Sequence, residues 1–486
     1  MKESPPDAAR VHFVTLGCPK NRVDSELMLG QLQDRAMTFT MDADEADVIV
    51  VNTCGFIEDA KKESIDVILE MARHRTEGNA KKLIVTGCLV QRYADALAEE
   101  IPEIDALLGN GEYQTVADVA AGAVDELRAE GRLVQVADPT FIHQATNPRV
   151  NTFKPHSAYV KVSEGCDQKC TFCIIPALRG LQRSRAVEDV VREAEALAAR
   201  GVVELNLIAQ DLTGYGTDLP GKVRLADLCE ALQPIDGLQW IRLHYAYPRP
   251  FPKRLLDVIG TGKVLPYVDM PLQHISDPVL KRMQRGRPRR FVERLLDDLF
   301  ANVADLTLRS SFIVGFPGET DADFAELCAF VEETDFSHVG VFKFSREEGT
   351  PSYDLDDQIP QDVIDERHDH LMQLLKEKSN AKMATFLDKR IAVLVDGVSE
   401  ETELLLAGRH AGQAPEIDGT TYINDGHARA GDLVEVEITE TFDYDIVGHI
   451  TDVIAAAPER PDHARLEAPL TAPVTAGRRA LRVIQN

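Results

Sequence analysis

AYVKVSEGCDQKCTFCIIP, residues 158–176, decides the reading of this chain. Its first eight residues make a short, largely apolar run of the kind that forms a buried strand. The next eight hold Cys166, Cys170 and Cys173. Three thiolates in a Cys-x3-Cys-x2-Cys loop just past a strand can converge on one metal centre if the loop wraps around it. Zinc and unliganded thiols compete with an iron–sulfur cluster for such a set. Structural zinc takes four ligands in paired short spacings, and no fourth cysteine lies nearby. Iron–sulfur clusters are normally held by four cysteines. A 4Fe–4S cluster on three would keep one iron open, as a reactive cluster requires.

Downstream of that loop, the runs VVELNLIAQ (202–210), QWIRLHYA (239–246), LPYVDMPL (265–272), LTLRSSFIVG (306–315) and HVGVFKFS (338–345) alternate with helical patterns such as AVEDVVREAEALAARG and DADFAELCAFVEET. Six strands alternating with helices predict an α/β unit over 158–380, a partial (βα)6 barrel carrying its chemistry at the carboxyl ends of the strands. Cys229 and Cys328 fall on apolar helix faces, where packing explains them. His244 and His274 lie near strand ends and could contact substrate, although a structural histidine is the plainer reading of either.

Upstream, VHFVTLG (11–17), DVIVVNT (47–53) and KLIVTG (82–87) are β-branched and nearly continuous, with amphipathic stretches between them. They predict a doubly wound α/β domain over 10–140, followed by an irregular linker over 141–157. Cys18, Cys54 and Cys88 each follow one of these strands. Ligand sites in open α/β sheets form outside the carboxyl ends of the strands, so these distant cysteines can meet there. One alone would read as a buried structural thiol. Three at equivalent ends predict a second three-cysteine site. From residue 381 the texture turns to short strands with Gly and Asp turns, which predict a small β-barrel over 381–453. The tail at 454–486, rich in Ala and Pro, predicts disorder. Residues 1–9 are an extension without the apolar stretch of a secretory signal.

At 486 residues the chain is too long for one ordinary core. No run of about 18 apolar residues occurs, which argues against a membrane span and for a cytoplasmic protein. In that compartment eight cysteines read as thiols or ligands rather than disulfides. Eighty acidic against 53 basic residues, a formal charge of -27, oppose extensive phosphate-driven binding of nucleic acid. They favour a basic partner, or serve solubility alone.

The cysteine loop resembles the signature of the radical S-adenosylmethionine (SAM) superfamily. Phe172, just before the last cysteine, matches the aromatic position beside that family's cofactor. VELNLIAQDLTGYG (203–216), with Gln210, and SFIVGFPGET (311–320), with Ile313 and Gly315, match segments lining its SAM pocket. Ser311 departs from the glycine that many members carry. Two three-cysteine sites in this order, then a small barrel, resemble the methylthiotransferase family of radical SAM enzymes, whose barrel is called TRAM. The resemblance spans residues 10 to 453. Within it, GCPKNRVDSE (17–26) and AGRHAGQAPEIDG (407–419) resemble the RimO-type branch acting on small-subunit ribosomal protein twelve, rather than the branch that modifies transfer RNA.

The resemblance implies two 4Fe–4S clusters, one on Cys18, Cys54 and Cys88 and a catalytic one on Cys166, Cys170 and Cys173. It implies SAM as radical source and methyl donor, with Phe172, Gln210, Ile313 and Gly315 in the cofactor pocket. An electron donor such as a flavodoxin-type protein would start the reaction. The radical made from SAM would remove hydrogen from the β-carbon of an aspartate, which then takes the methylthio group. An unactivated C–H bond has no acidic proton, so general-base catalysis could not replace that step. Charge agrees with a protein substrate: residues 378–452 hold six Lys and Arg against fifteen Asp and Glu. A barrel gripping RNA should be basic, whereas opposite charge steers a basic ribosomal protein to an acidic one. Arg179, Arg183 and Arg185 in RGLQRSR could pair with SAM's carboxylate or with an acidic target, or form an exposed cluster at a helix start.

Overall fold

The computed structural model describes residues 8–122 and 133–458. Strands without polar alternation are buried on both faces, and the chain begins with such strands. β1 (Arg10–Thr15), β2 (Thr38–Phe39), β3 (Val48–Thr53), β4 (Lys82–Gly87), β5 (Ala106–Leu108) and β6 (Leu133–Gln135) form one parallel sheet in the order β2-β1-β3-β4-β5-β6. On one face Val11, Phe13, Val50 and Ile84 pack against Val23 and Leu27 of the helix Pro19–Asp34. On the other, Ile49, Val51 and Val85 pack against Ile68 and Met71 of the helix Glu58–Thr76. This is the doubly wound arrangement read from the sequence. Strand order reverses between β1 and β3, the switch point at which such sheets open a crevice. β2, β5 and β6 were not legible, because two or three residues are too few to show a period.

The second sheet is built from β7 (Ser157–Lys161), after which β8 (Ser163–Glu164) and β9 (Arg183–Ser184) make a small antiparallel ribbon. It continues with β10 (Glu204–Ile208), β11 (Trp240–Leu243), β12 (Val264–Asp269), β13 (Thr307–Val314) and β14 (His338–Lys343), all parallel. The order β14-β13-β12-β11-β10-β7 is sequential with two unpaired edges, the expected partial barrel. Ala158, Val160, Leu205, Leu207, Ile241, Leu243, Val268 and Leu308 belong to the large apolar core shared with the surrounding helices. By alternation, Tyr159, Lys161, Glu204, Asn206, Arg242, Tyr267 and Asp269 face the other way, and all seven are buried. A polar face buried like this must have its groups paired; Arg242 and Glu204 pair within the sheet, and other partners come from outside it. The helix Pro19–Asp34 supplies one set, through Asp24 on Lys161. The third unit supplies the other.

That unit is a closed barrel of β15 (Arg390–Val398), β16 (Leu406–His410), β17 (Thr421–Asp425), β18 (Leu433–Thr441) and β19 (Ile446–Ala455). Leu394, Ala414 and Leu433 pack on Val203, Trp240 and Leu265, at the amino-terminal ends of the second sheet's strands. The loop after β16 reaches onto the polar face: the Ala411 carbonyl accepts from Arg242, and Asp418 accepts from Tyr267 and Arg309. β19 runs to Ala455, two residues past the expected end of the barrel. The expected disordered tail from 459 onward and the extension at 1–7 lie outside the described residues. The expected linker is irregular up to His156, and Arg149 pins it to Glu26 and Glu193. Among the described residues no helix is long and apolar enough to cross a membrane.

Candidate active site

Cys18, Cys54 and Cys88 follow β1, β3 and β4, three strands that are neighbours in the sheet. Parallel pairing therefore delivers residues separated by tens of positions to one edge. Cys18 precedes the helix Pro19–Asp34 and Cys88 begins the helix Cys88–Glu100, so helix amino termini, which favour thiolates, point at this edge. Asn21 clips the strand ends together, its Nδ2 donating to the carbonyls of Leu16 (3.1 Å) and Thr53 (2.9 Å). The Ser64 hydroxyl holds Cys54 through both backbone groups, accepting from its N–H and donating to its carbonyl. Gly17, at φ +87°, leaves only 2.8 Å between its notional Cβ and that of Cys54, so no side chain fits there. Burial raises the Cys54 thiol far above its ordinary value, and the neighbouring Cys88 and Cys18 add to the rise. Cys88 is raised as well, first by burial, while Arg179 opposes the shift.

Cys166, Cys170 and Cys173 lie in the loop after β8. The Cys166 N–H donates to the Gly180 carbonyl at 3.0 Å and the Cys173 N–H to the Cys170 carbonyl at 3.1 Å, which folds the loop on itself. The Arg285 guanidinium donates to Cys170 Sγ at 3.4 Å and stacks over the Tyr247 ring, 4.2 Å from its centroid. Burial pushes Cys166 up to about 11 and Cys173 to about 12. Each also feels Cys170.

The two sites share a wall. Cys88 packs with Ile174 and Leu178, immediately after Cys173, and with Phe56. Asn110 Nδ2 bridges them, lying 3.5 Å from Cys88 Sγ and donating to the Leu178 carbonyl at 2.9 Å. Behind this wall runs a buried charge network. Arg179 donates to Glu164 (3.1 Å), Asp24 (2.9 Å) and Asn21 Oδ1, while Lys161 binds Asp24 and Glu164. Glu164 is held well below the usual carboxylate range by Lys161 and Arg179, in spite of burial. Arg179 thus sets a permanent cation beside Cys88 and Cys18. Among the described residues no three or more His, Cys, Asp and Glu side chains are arranged to hold a metal ion. Three soft thiols per site suit a cluster, which brings its own iron and sulfide and spreads its ligands around a larger body.

Of the pocket residues expected from the sequence, Phe172 and Ile313 meet in one apolar cluster with Val279, Met283 and Phe316. Gln210 Nε2 donates to Glu164 Oε1 at 2.8 Å, and its buried Oε1 has no partner. Gly315, at φ +78°, packs against Ile364, 2.4 Å from a notional Cβ, and its N–H donates to Glu319. His244 and His274 are buried, the first against Asn206 and the second accepting from the Ser276 N–H. The RGLQRSR stretch is no exposed cluster, since Arg179 and Arg185 are buried and Arg185 pairs with Asp189 and Glu193. Cys229 is fully buried in the core and Cys328 packs against it, as expected. Lys161, Asp24 and Arg285 escaped the sequence reading. A lysine inside the apolar strand AYVKV was the available signal for the first.

Three family models match in sequence order: Uncharacterized protein family UPF0004 over residues 10–109, the Radical SAM superfamily over 160–331, and the TRAM domain over 389–451. A relative from Anaeromyxobacter sp. (strain Fw109-5), named Ribosomal protein uS12 methylthiotransferase RimO, is 55% identical, covering 93% of this chain and 94% of its own. One of the same name from Myxococcus xanthus (strain DK1622) is 50% identical over 96% and 97%. The solved radical SAM methyltransferase TsrM from Kitasatospora setae, with cobalamin and a 4Fe–4S cluster bound, aligns at TM-score 0.53 and 17% identity. That alignment covers 71% of this chain and 74% of TsrM, a likeness of fold. Identity of this depth over nearly the full length places the chain in the RimO family of ribosomal protein uS12 methylthiotransferases.

Proposed function

We propose that this chain transfers a methylthio group to the β-carbon of an aspartate in ribosomal protein uS12. It would use SAM and two 4Fe–4S clusters, held by Cys18, Cys54 and Cys88 and by Cys166, Cys170 and Cys173. The observation that supports this reading is the shared wall: cysteines follow strands of two parallel sheets, and Cys88 of the first set packs against Ile174 and Leu178 just beyond the second. Bound clusters and SAM supply the one-electron chemistry that breaks an unactivated C–H bond.

The chain's own groups bind, orient and exclude. Arg285 stabilises negative charge on the Cys170 sulfur, and Arg179 does the same behind Cys88 and Cys18. Phe172 and Ile313 with Phe316 give the second site an apolar side, and Phe56 with Ile174 and Leu178 closes the first against water. The partly satisfied Gln210 amide remains for a polar group of the cofactor. The acidic barrel suits a basic ribosomal protein. A flavodoxin-type donor and a cytoplasmic setting, where thiols stay reduced, complete the reading.

The test is anaerobic reconstitution with iron, sulfide, SAM and reductant, followed by mass spectrometry of uS12 and of transfer RNA offered separately. A methylthio increment on an aspartate of uS12 is expected. An increment on RNA alone would overturn the substrate, and Cys166→Ala protein that still cleaved SAM reductively would overturn the second site.

A further inference from the structure

Lys20, two residues past Cys18, stands out among the groups near the two sites. Its side chain is buried, with only 7% of the residue exposed. Its ammonium lies 3.0 Å above the centroid of the Tyr245 ring and donates no hydrogen bond to, and forms no ion pair with, any described residue. Tyr245 is itself held at φ +62°, a conformation that costs a bulky residue strain and survives where the surroundings impose it. The two carboxylates whose charge reaches it, Asp269 and Glu164, are already committed. Glu164 accepts from Lys161, Arg179 and Gln210. Asp269 pairs with Arg309 and accepts from the Tyr245 N–H. A buried ammonium resting on an aromatic face, with both of these carboxylates committed, is a cation set for an anion that arrives from elsewhere.

We propose that Lys20 is the seat for the side-chain carboxylate of the target aspartate. This rests on the function proposed above and names the group that holds its substrate. Lys20 lies two residues from Cys18 in the helix Pro19–Asp34, and Tyr245 follows β11 at the carboxyl end of the second sheet, so a carboxylate bound there lies where the Cys18 edge meets that sheet. In aspartate the β-carbon is one bond from the carboxylate carbon. Fixing the carboxylate therefore fixes the carbon that must lose hydrogen and accept sulfur, which is where orientation contributes most. The seat also gives selectivity: a nucleobase offers no carboxylate, and would leave the ammonium buried without a partner.

The experiment compares uS12 with its target Asp→Asn variant on reconstituted wild-type, Lys20→Gln and Lys20→Arg enzymes, reading kcat and KM for each pair. SAM affinity is measured separately, without uS12. Wild type should prefer the aspartate protein by about tenfold or more in kcat/KM. Lys20→Gln should lose most of that preference, and Lys20→Arg should keep much of it. An unchanged preference in Lys20→Gln overturns the proposal. So does a weakened SAM affinity with the preference intact, which would assign the seat to SAM's own carboxylate. Should Lys20→Gln fail to load iron, a wild-type enzyme indifferent to Asp or Asn overturns the proposal without it. A wild-type enzyme inactive on both forms of uS12 instead overturns the function on which the proposal rests.

Discussion

Arg22 and Glu416 form an ion pair, Nη2 to Oε1 at 2.8 Å, that joins the helix behind Cys18 to the loop leaving β16 of the barrel. The two residues belong to the two short motifs that pointed to the RimO branch, and they stand 394 positions apart. Their side chains are 28% and 40% exposed, so solvent screens the pair and its contribution is below about 1 kcal/mol. Glu416→Gln should therefore barely move the melting temperature.

The same barrel is held more firmly by Arg409, which is buried and grips Glu204 and Asp396 together. Replacing it by Met strands two buried carboxylates, with Arg242, Lys154 and His156 as their remaining neighbours. A loss of about 3–5 kcal/mol is expected, read as early release of the barrel in limited proteolysis. Equal melting of Arg409→Met and Glu416→Gln would contradict this ranking.

Arg179→Met should be as costly, because Asp24 and Glu164 would then share Lys161 as their one ion-pair partner among the described residues, with Gln210 still donating to Glu164. The expected loss is again about 3 kcal/mol or more. Iron retention at the Cys18, Cys54 and Cys88 site should weaken with it, as the cation beside Cys88 and Cys18 disappears. A variant with native stability and full iron would sink this assignment.

Two glycine substitutions should separate the sites. Gly17→Ala adds a Cβ at 2.8 Å from that of Cys54, on a backbone at φ +87°. Bound iron should fall to about half while reductive SAM cleavage persists, because strain of about 1–3 kcal/mol falls on one site. Gly165→Ala places a Cβ at 2.1 Å from the Leu181 carbonyl oxygen, beside Cys166, and should abolish SAM cleavage first. Iron analysis together with 5′-deoxyadenosine release distinguishes the two, and a reversed pattern would refute the division.

His143, His244 and His274 are buried and held neutral. Burial is the main cause, pushing them to about 4, 3 and 4. In the unfolded chain each takes a proton near pH 6.5, so their contribution is complete above that pH and is lost as pH falls toward about 4. These three alone should lower stability by up to about 4 kcal/mol between pH 7 and 5.5, at about 1.4 kcal/mol per histidine per pH unit, and His410, pushed by burial to about 3, adds in the same direction. Thermal melting across that range checks it, and His143→Gln should make the slope shallower by about 1.4 kcal/mol per pH unit at most.

Most strands of the two parallel sheets could be read because β-branched runs and helical periods are local signals, and KLIVTG became β4 residue for residue. That Cys18, Cys54 and Cys88 share an edge was legible for a related reason: parallel strands must end on one side, so residues after them lie together. The residues expected in a cofactor pocket were named by motif, yet their neighbours came only from packing, as when Gly315 proved to abut Ile364.

What the sequence determined by itself was the set of local patterns: two families of parallel strands, a barrel, and thiols at strand ends. Only the tertiary structure decided that Cys88 stands against Ile174, that Arg179 is buried behind it, and that Lys20 rests on the ring of Tyr245. Those facts depend on which surfaces of separate units meet. A buried polar residue in a strand announces that a partner is needed, and long-range packing chooses it.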